Sequence, residues 1–90
     1  MNQSDYQLLF EKLSNSFGGE ATLISISDES IILQFHSETG AKSPHTSELR
    51  YVNVVGKTFV SILQRENGLP SGPPVLVSPD LSAVVAICLR

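Results

Sequence analysis

Tyr6, Leu9, Phe10, Leu13 and Phe17 recur at spacings of three and four, which places them on one stripe of a helix. Ser4-Asp5-Tyr6-Gln7 has capping-box form, with the Ser4 hydroxyl positioned to accept from the Gln7 N–H and the Gln7 side chain reaching back. Gly18-Gly19 supplies the left-handed residue on which helices stop, so the pattern predicts a helix over about 4–17. The period then shortens to two. Ala21–Ser27 and Ser30–Ser37 are rich in β-branched residues and flank Asp28-Glu29, predicting a hairpin over about 21–37. If Ser27 faces Ser30, the opposite pairs are Ile26 with Ile31, Ile24 with Leu33 and Thr22 with Phe35, all on the core side.

The polar segment 37–47 holds Gly40 and Pro44 and is long for a connection in a chain of this size, which makes it the candidate mobile loop. Ser43-Pro44 reads as an N-cap with proline in the first turn, and Asn67-Gly68-Leu69-Pro70 as a C-cap glycine followed by a breaker. At about 100° per residue, Leu49, Tyr51, Val52, Val55, Phe59, Val60, Ile62 and Leu63 share half the circumference, while Arg50, Asn53, Lys57, Ser61 and Gln64 gather opposite. This predicts a second helix over about 44–67, although the β-branched content of Leu49–Val55 argues for a strand. Pro70–Pro74 reads as a rigid linker. Val75–Ser78 and Ser82–Leu89, around Pro79-Asp80, predict a second hairpin over about 75–90.

The resulting order, α-β-β-α-β-β, is that of an α+β two-layer sandwich: one domain over 1–90, with a four-stranded antiparallel sheet and two helices. Leu23-Ile24-Ser25-Ile26-Ser27-Asp28 aligns with Val75-Leu76-Val77-Ser78-Pro79-Asp80, compatible with an internal αββ repeat. The last predicted strand is apolar on both sides, and strands of that kind are covered on both faces. With both helices spent on one face, Leu23, Ile32, Val75, Val77, Val84, Ala86 and Cys88 form a candidate interaction surface on the other. This element order is similar to the first part of roadblock and longin-type domains. The resemblance implies a dimerising scaffold and transfers no residue role.

Composition narrows the function. With 41% hydrophobic and 17% charged residues the chain is globular, and its longest apolar stretch, Ala83–Leu89, is far short of the roughly 20 residues that span a bilayer. The N-terminal region carries Asp5 where a signal peptide has positive charge, and Cys88 is alone, so the expectation is a cytoplasmic protein without disulfides. The formal charge of −3 hides a weakly basic island, in which Lys42, Arg50, Lys57 and Arg65 face Glu48 alone. These four are candidate contacts for an anion or an acidic partner. A pI near 5.1 with few aromatics does not suit a nucleic-acid binder.

Chemistry-bearing residues are sparse. His36, His45 and Cys88 lack metal-ligand spacing, and Gly40-Ala41-Lys42-Ser43 lacks the full phosphate-loop pattern. Asp28 and Glu29 read as solvated turn residues and Cys88 as a small buried hydrophobe. No catalytic, metal or cofactor residue is assigned. The expectation is a non-catalytic adaptor or regulatory subunit, a homodimer through the outer sheet face or a sheet edge, with a further protein as a second partner. The alternative is a small-ligand or anion sensor using loop 37–47 and the cationic face of the second helix. A third, an enzyme completed by a partner chain, requires His36 and His45 to lie close together.

Overall fold

The first helix is capped by Asn2. Its side-chain oxygen accepts the Asp5 N–H at 3.1 Å and the Asp5 carboxylate accepts the Asn2 N–H at 2.9 Å, so α1 (Gln3–Ser16) starts ahead of the Ser4–Gln7 box. The structure is a computed structural model and describes residues 2–16, 20–36 and 42–89. The Gly18-Gly19 stop and residues 37–41 of the polar loop lie outside them. Tyr6, Leu9 and Leu13 are buried along one stripe, as their spacing predicts.

Strands β1 (Glu20–Ile26) and β2 (Ile31–His36) form the expected hairpin, and Ile26 does face Ile31. Ile24, however, bulges out of the ladder, so that Leu23 meets Leu33 and Ala21 meets Phe35. The bulge places Leu23 on the core side and leaves Ile24 exposed. The connecting turn is held from inside: the Ser27 hydroxyl accepts the N–H groups of Glu29 and Ser30, both at 3.2 Å. Asp28 is more than a solvated turn residue. Its carboxylate accepts the Gln3 N–H at 3.0 Å, at the helix end where the dipole favours negative charge.

The second half departs from the expected order. Residues 44–67 are not a helix but the hairpin of β3 (Thr46–Val54) and β4 (Lys57–Glu66). Leu49, Val60 and Ile62 are buried under the helices, whereas Val52, Phe59 and Leu63 occupy the alternate positions. The arc that suggested one helical face is therefore split between two faces of a sheet. Ser43 is no helix cap either, since its N–H donates to the Phe35 C=O at 2.9 Å and its own C=O accepts the Gln34 amide at 2.8 Å.

Asn67-Gly68 is a turn rather than a helix stop. With φ of 54° and 80° it joins β4 to the short β5 (Leu69–Pro70), the asparagine–glycine pair being well suited to a type I′ hairpin. Of the expected hairpin over 75–90 only the first strand exists, as β6 (Val75–Val77), which also pairs with β4. The remainder is α2 (Leu81–Cys88). Asp80 caps it, its carboxylate accepting the Ser82 N–H at 3.0 Å and the Ser82 hydroxyl at 2.9 Å.

The molecule is thus α+β, with two helices on an antiparallel six-stranded sheet ordered β1-β2-β3-β4-β5 and β6 on β4. Among the described residues the sheet has six strands rather than four and the αββ repeat is not confirmed, and with the predicted middle helix goes the likeness in element order to roadblock and longin-type domains. The helices pack against each other on one sheet face, α1 over β1 and β2 and α2 over β4. Between the layers lie Tyr6, Leu9 and Leu13 with Ile31, Leu33, Phe35, Leu49, Val60, Ile62, Val84, Ile87 and Cys88. Gln64 reaches into the same layer and donates to the Ile87 and Cys88 carbonyls at 3.0 and 3.3 Å, satisfying acceptors that the end of α2 leaves open.

The β3–β4 turn carries strain. Val55 sits at φ 51° beside Gly56 at φ 77°, and a β-branched residue in the left-handed region is costly. The residue is 97% exposed and gains nothing from packing. Val55→Asn is expected to stabilise the fold by about 1 kcal/mol, raising the melting temperature by roughly 4–8 °C. A thermal melt of the variant checks this, and a lower melting point contradicts it.

Candidate functional site

Alternation along β3 and β4 decides which side chains leave the core. Opposite residues share a face, so the pairs Thr46–Arg65, Glu48–Leu63, Arg50–Ser61, Val52–Phe59 and Val54–Lys57 all point away from the helices. The neighbouring strands add Ile32, opposite Glu48, and Leu76, opposite Ser61. Both helices are on the other side, and among the described residues this outer face has no second layer. Ile32, Val52, Phe59 and Leu63 are half-buried by their neighbours on the face, and Val54 and Leu76 are exposed.

An ion cluster lies among these apolar side chains. Glu48, only 12% exposed at its side chain, accepts from the Arg65 guanidinium at 3.2 Å and lies 3.6 Å from that of Arg50. The Ser30 hydroxyl donates to the same carboxylate at 3.1 Å. Glu48, Arg50, Ser61, Leu63, Arg65 and Pro74 line a depression of about 290 Å³. Arg50 stays half in solvent, so it keeps donor capacity for a further carboxylate, and Lys57 is exposed at the turn end of the face. Across β3 and β4 the outward side chains hold three cations and one carboxylate, a net +2 on a chain whose formal total is −3.

The residues expected to form the outer surface are mostly elsewhere. Ile32 is there. Leu23 and Val77 pack against the core, and Val84 and Cys88 are buried in it from α2. Val75 lies on the helix side opposite Ile62, where it lines a depression of about 220 Å³ with Gln64, Ser71 and Pro73, and Ala86 is on the exposed side of α2. The reasons differ by segment: the bulge at Ile24 turns Leu23 inward, the pairing of β6 with β4 puts Val75 and Val77 opposite Ile62 and Val60 on the helix side, and residues 81–88 coil into a helix that turns one apolar stripe inward. Reading the β3–β4 hairpin at helical period hides Val52, Phe59 and Leu63, and placing Val75 and Val77 outward hides Leu76, which lies between them on the other side of β6. Of the basic residues, Arg50, Lys57 and Arg65 do share one surface, but on the sheet. Lys42 lies beside His36 near the far end of β2.

The β1 edge is the second exposed feature. Phe35 gives its C=O to Ser43, so the odd residues of β2 address the β3 side and the even ones address β1. Ala21 and Leu23, opposite odd residues, therefore aim their backbone N–H and C=O groups outward from the sheet. On the other side of the molecule β3 runs past the start of β2, and there the Tyr6 hydroxyl accepts the Tyr51 N–H at 2.9 Å, with the two rings 5.5 Å apart. Burial, with Tyr6 and Asp5 nearby, raises the Tyr51 pKa above its ordinary value.

Neither histidine belongs to a chemical constellation. His36 Nε2 is hydrogen-bonded to the Thr22 hydroxyl at 2.9 Å and His45 Nδ1 to that of Ser71 at 3.1 Å, so the two rings are held by different hydroxyls. Among the described residues no three of His, Cys, Asp and Glu converge as metal ligands. No family model, curated protein or solved structure matches this chain. No described helix is long and apolar enough to cross a membrane.

Cys88 has the environment of a core residue. Burial pushes its thiol up to about 11 from an ordinary 9.0, with the Ser47 hydroxyl offsetting part of the shift. The folded pKa is raised, so the associated stability is fully present below pH 9 and is lost as pH rises to about 11. Denaturant titrations across that window are expected to show a steeper alkaline loss for the native protein than for Cys88→Ala. Equal slopes would contradict the buried thiol.

Proposed function

We propose that this chain is a non-catalytic protein–protein interaction module, an adaptor or regulatory subunit, that docks a partner on the outer face of its sheet. The observation that supports it is the band of Ile32, Val52, Phe59, Leu63 and Leu76, over which the described residues place no second layer. A sheet with large apolar side chains on both faces is ordinarily covered on both, and an apolar patch rimmed by polar groups marks a contact surface. The Glu48–Arg50–Arg65 cluster would fix the register of a partner through charge complementarity.

Self-association is assigned to the β1 edge. Two copies pairing β1 against β1 form a closed two-fold dimer and leave the outer face open. Light scattering behind a sizing column at two concentrations tests this, and a mass near twice 9.7 kDa is expected. Ala21→Pro removes an outward N–H without touching the β1–β2 ladder and is expected to return the mass to that of the monomer. A native monomer at both concentrations overturns self-association, and a dimer indifferent to Ala21→Pro overturns its placement.

The anion sensor finds less support. Lys42 and Lys57 stand at separate ends of the sheet, so the four cations expected to hold an anion do not converge on one small ligand. A thermal-shift screen with inorganic phosphate and nucleotides discriminates, since a ligand at a hundred times its Kd adds roughly 2.7 kcal/mol. No shift is expected; a clear rise would replace the interaction module with a sensor.

A further inference from the structure

We infer that the partner of the outer sheet face is a protein segment that alternates acidic and apolar side chains. The inference rests on the docking reading above and goes further, because charge selects among occupants. The outward residues of β3 and β4 bring together Arg50, Lys57 and Arg65 against Glu48, with Val52, Phe59 and Leu63 between them and Leu76 beside. Glu48 is already engaged by both arginines and by Ser30, while Arg50 is 51% exposed. A carboxylate arriving at Arg50 or Lys57 therefore finds donors rather than a competing anion.

A second copy placed face to face is disfavoured, since it would bring two surfaces of net +2 together. A nucleic acid uses the cations but leaves Ile32, Val52, Leu63 and Leu76 without an apolar partner, Phe59 being the one aromatic ring of the band, and the chain's overall negative charge repels a long polyanion. An acidic segment with apolar side chains at every second position matches both components. β3 spans about 30 Å, and with β4 and its neighbours the face offers on the order of 500 Å² per partner, the size of a weak, transient complex.

The probe is a short fluorescein-labelled peptide alternating leucine and glutamate, read by anisotropy against the 90-residue chain. Three controls accompany it: a leucine–lysine peptide, a serine–glutamate peptide and a single-stranded oligonucleotide of equal charge. The leucine–glutamate peptide is expected to bind at least tenfold more tightly than any control and to weaken with salt. Arg50→Glu with Lys57→Glu is expected to cost roughly tenfold or more. Leu76→Ser and Phe59→Ser report the apolar component; Leu76 is exposed, so at least one of the two keeps the fold, as circular dichroism verifies.

The failures are distinguishable. If the leucine–lysine peptide binds as well and still depends on Leu76 or Phe59, the face is an interface and the acidic partner is wrong. If the oligonucleotide binds most tightly, the surface is one for polyanions and the inference is overturned. If no peptide responds to any of the substitutions, the docking reading falls with it.

Discussion

Val84→Glu is expected to unfold the protein. On a strand-based reading of residues 82–89 this substitution would split an assembly and leave the monomer intact, because Val84 would point outward. In the structure Val84 is fully buried on α2, in the layer that also holds Leu13, Val60 and Ile62. A carboxylate there loses its hydration, and none of those neighbours carries a charge to compensate it. An uncompensated buried charge costs about 3–5 kcal/mol, much of the 5–15 kcal/mol by which small proteins are stable. Urea denaturation followed by circular dichroism is expected to show no cooperative transition, or one moved to much lower denaturant. A variant that melts like the native protein would mean that α2 does not pack on the sheet. Val77→Lys has a smaller expected effect: Val77 pairs with Val60 at the rim of the sheet and is half-buried, so the long lysine stem can carry its charge to water.

Leu33→Ala is the second large effect, a loss of roughly 2–5 kcal/mol. Leu33 is at the centre of β2, fully buried, with Leu23 opposite on β1 and Ser47 opposite on β3. Truncation removes apolar contacts and leaves a void that two fixed strands cannot close. The check is the denaturant midpoint at unchanged slope. A loss well under 1 kcal/mol would put Leu33 on the outer face and reverse every assignment made for β2, since a one-residue slip exchanges the two sides of a strand.

The outer face and the core were legible to different degrees. For α1 and the β1–β2 hairpin, local signals agreed: three-and-four spacing, then alternation about a short polar turn. Only the bulge at Ile24 and the Asn2 cap escaped them. In residues 44–67 two readings competed, because Val52, Phe59 and Leu63 crowd one arc at about 100° per residue and also share one sheet face once the chain turns back at Val55-Gly56. Two local signals favoured the strands. Val52, Val54, Val55, Thr58, Val60 and Ile62 are β-branched, and Asn67-Gly68 is a stronger hairpin mark than a helix stop. Val55-Gly56 gave little sign of its turn, because valine is unfavourable there and the strands hold it in place.

What the sequence alone determined is the α+β class, the first three elements, and the small number of chemistry-bearing residues. These follow from local periodicity and residue type, which act over a few residues. Tertiary structure decided the rest. Ala83–Leu89 is apolar on every side and could be strand or helix; it became α2 because the inner sheet face, left half covered by α1, buries one stripe of a helix. The union of Arg50, Lys57 and Arg65 with Phe59 and Leu76 likewise depends on β3, β4 and β6 being paired. Such pairings join residues distant in the chain, and their register is set by which face the whole molecule buries, a condition no short stretch of sequence contains.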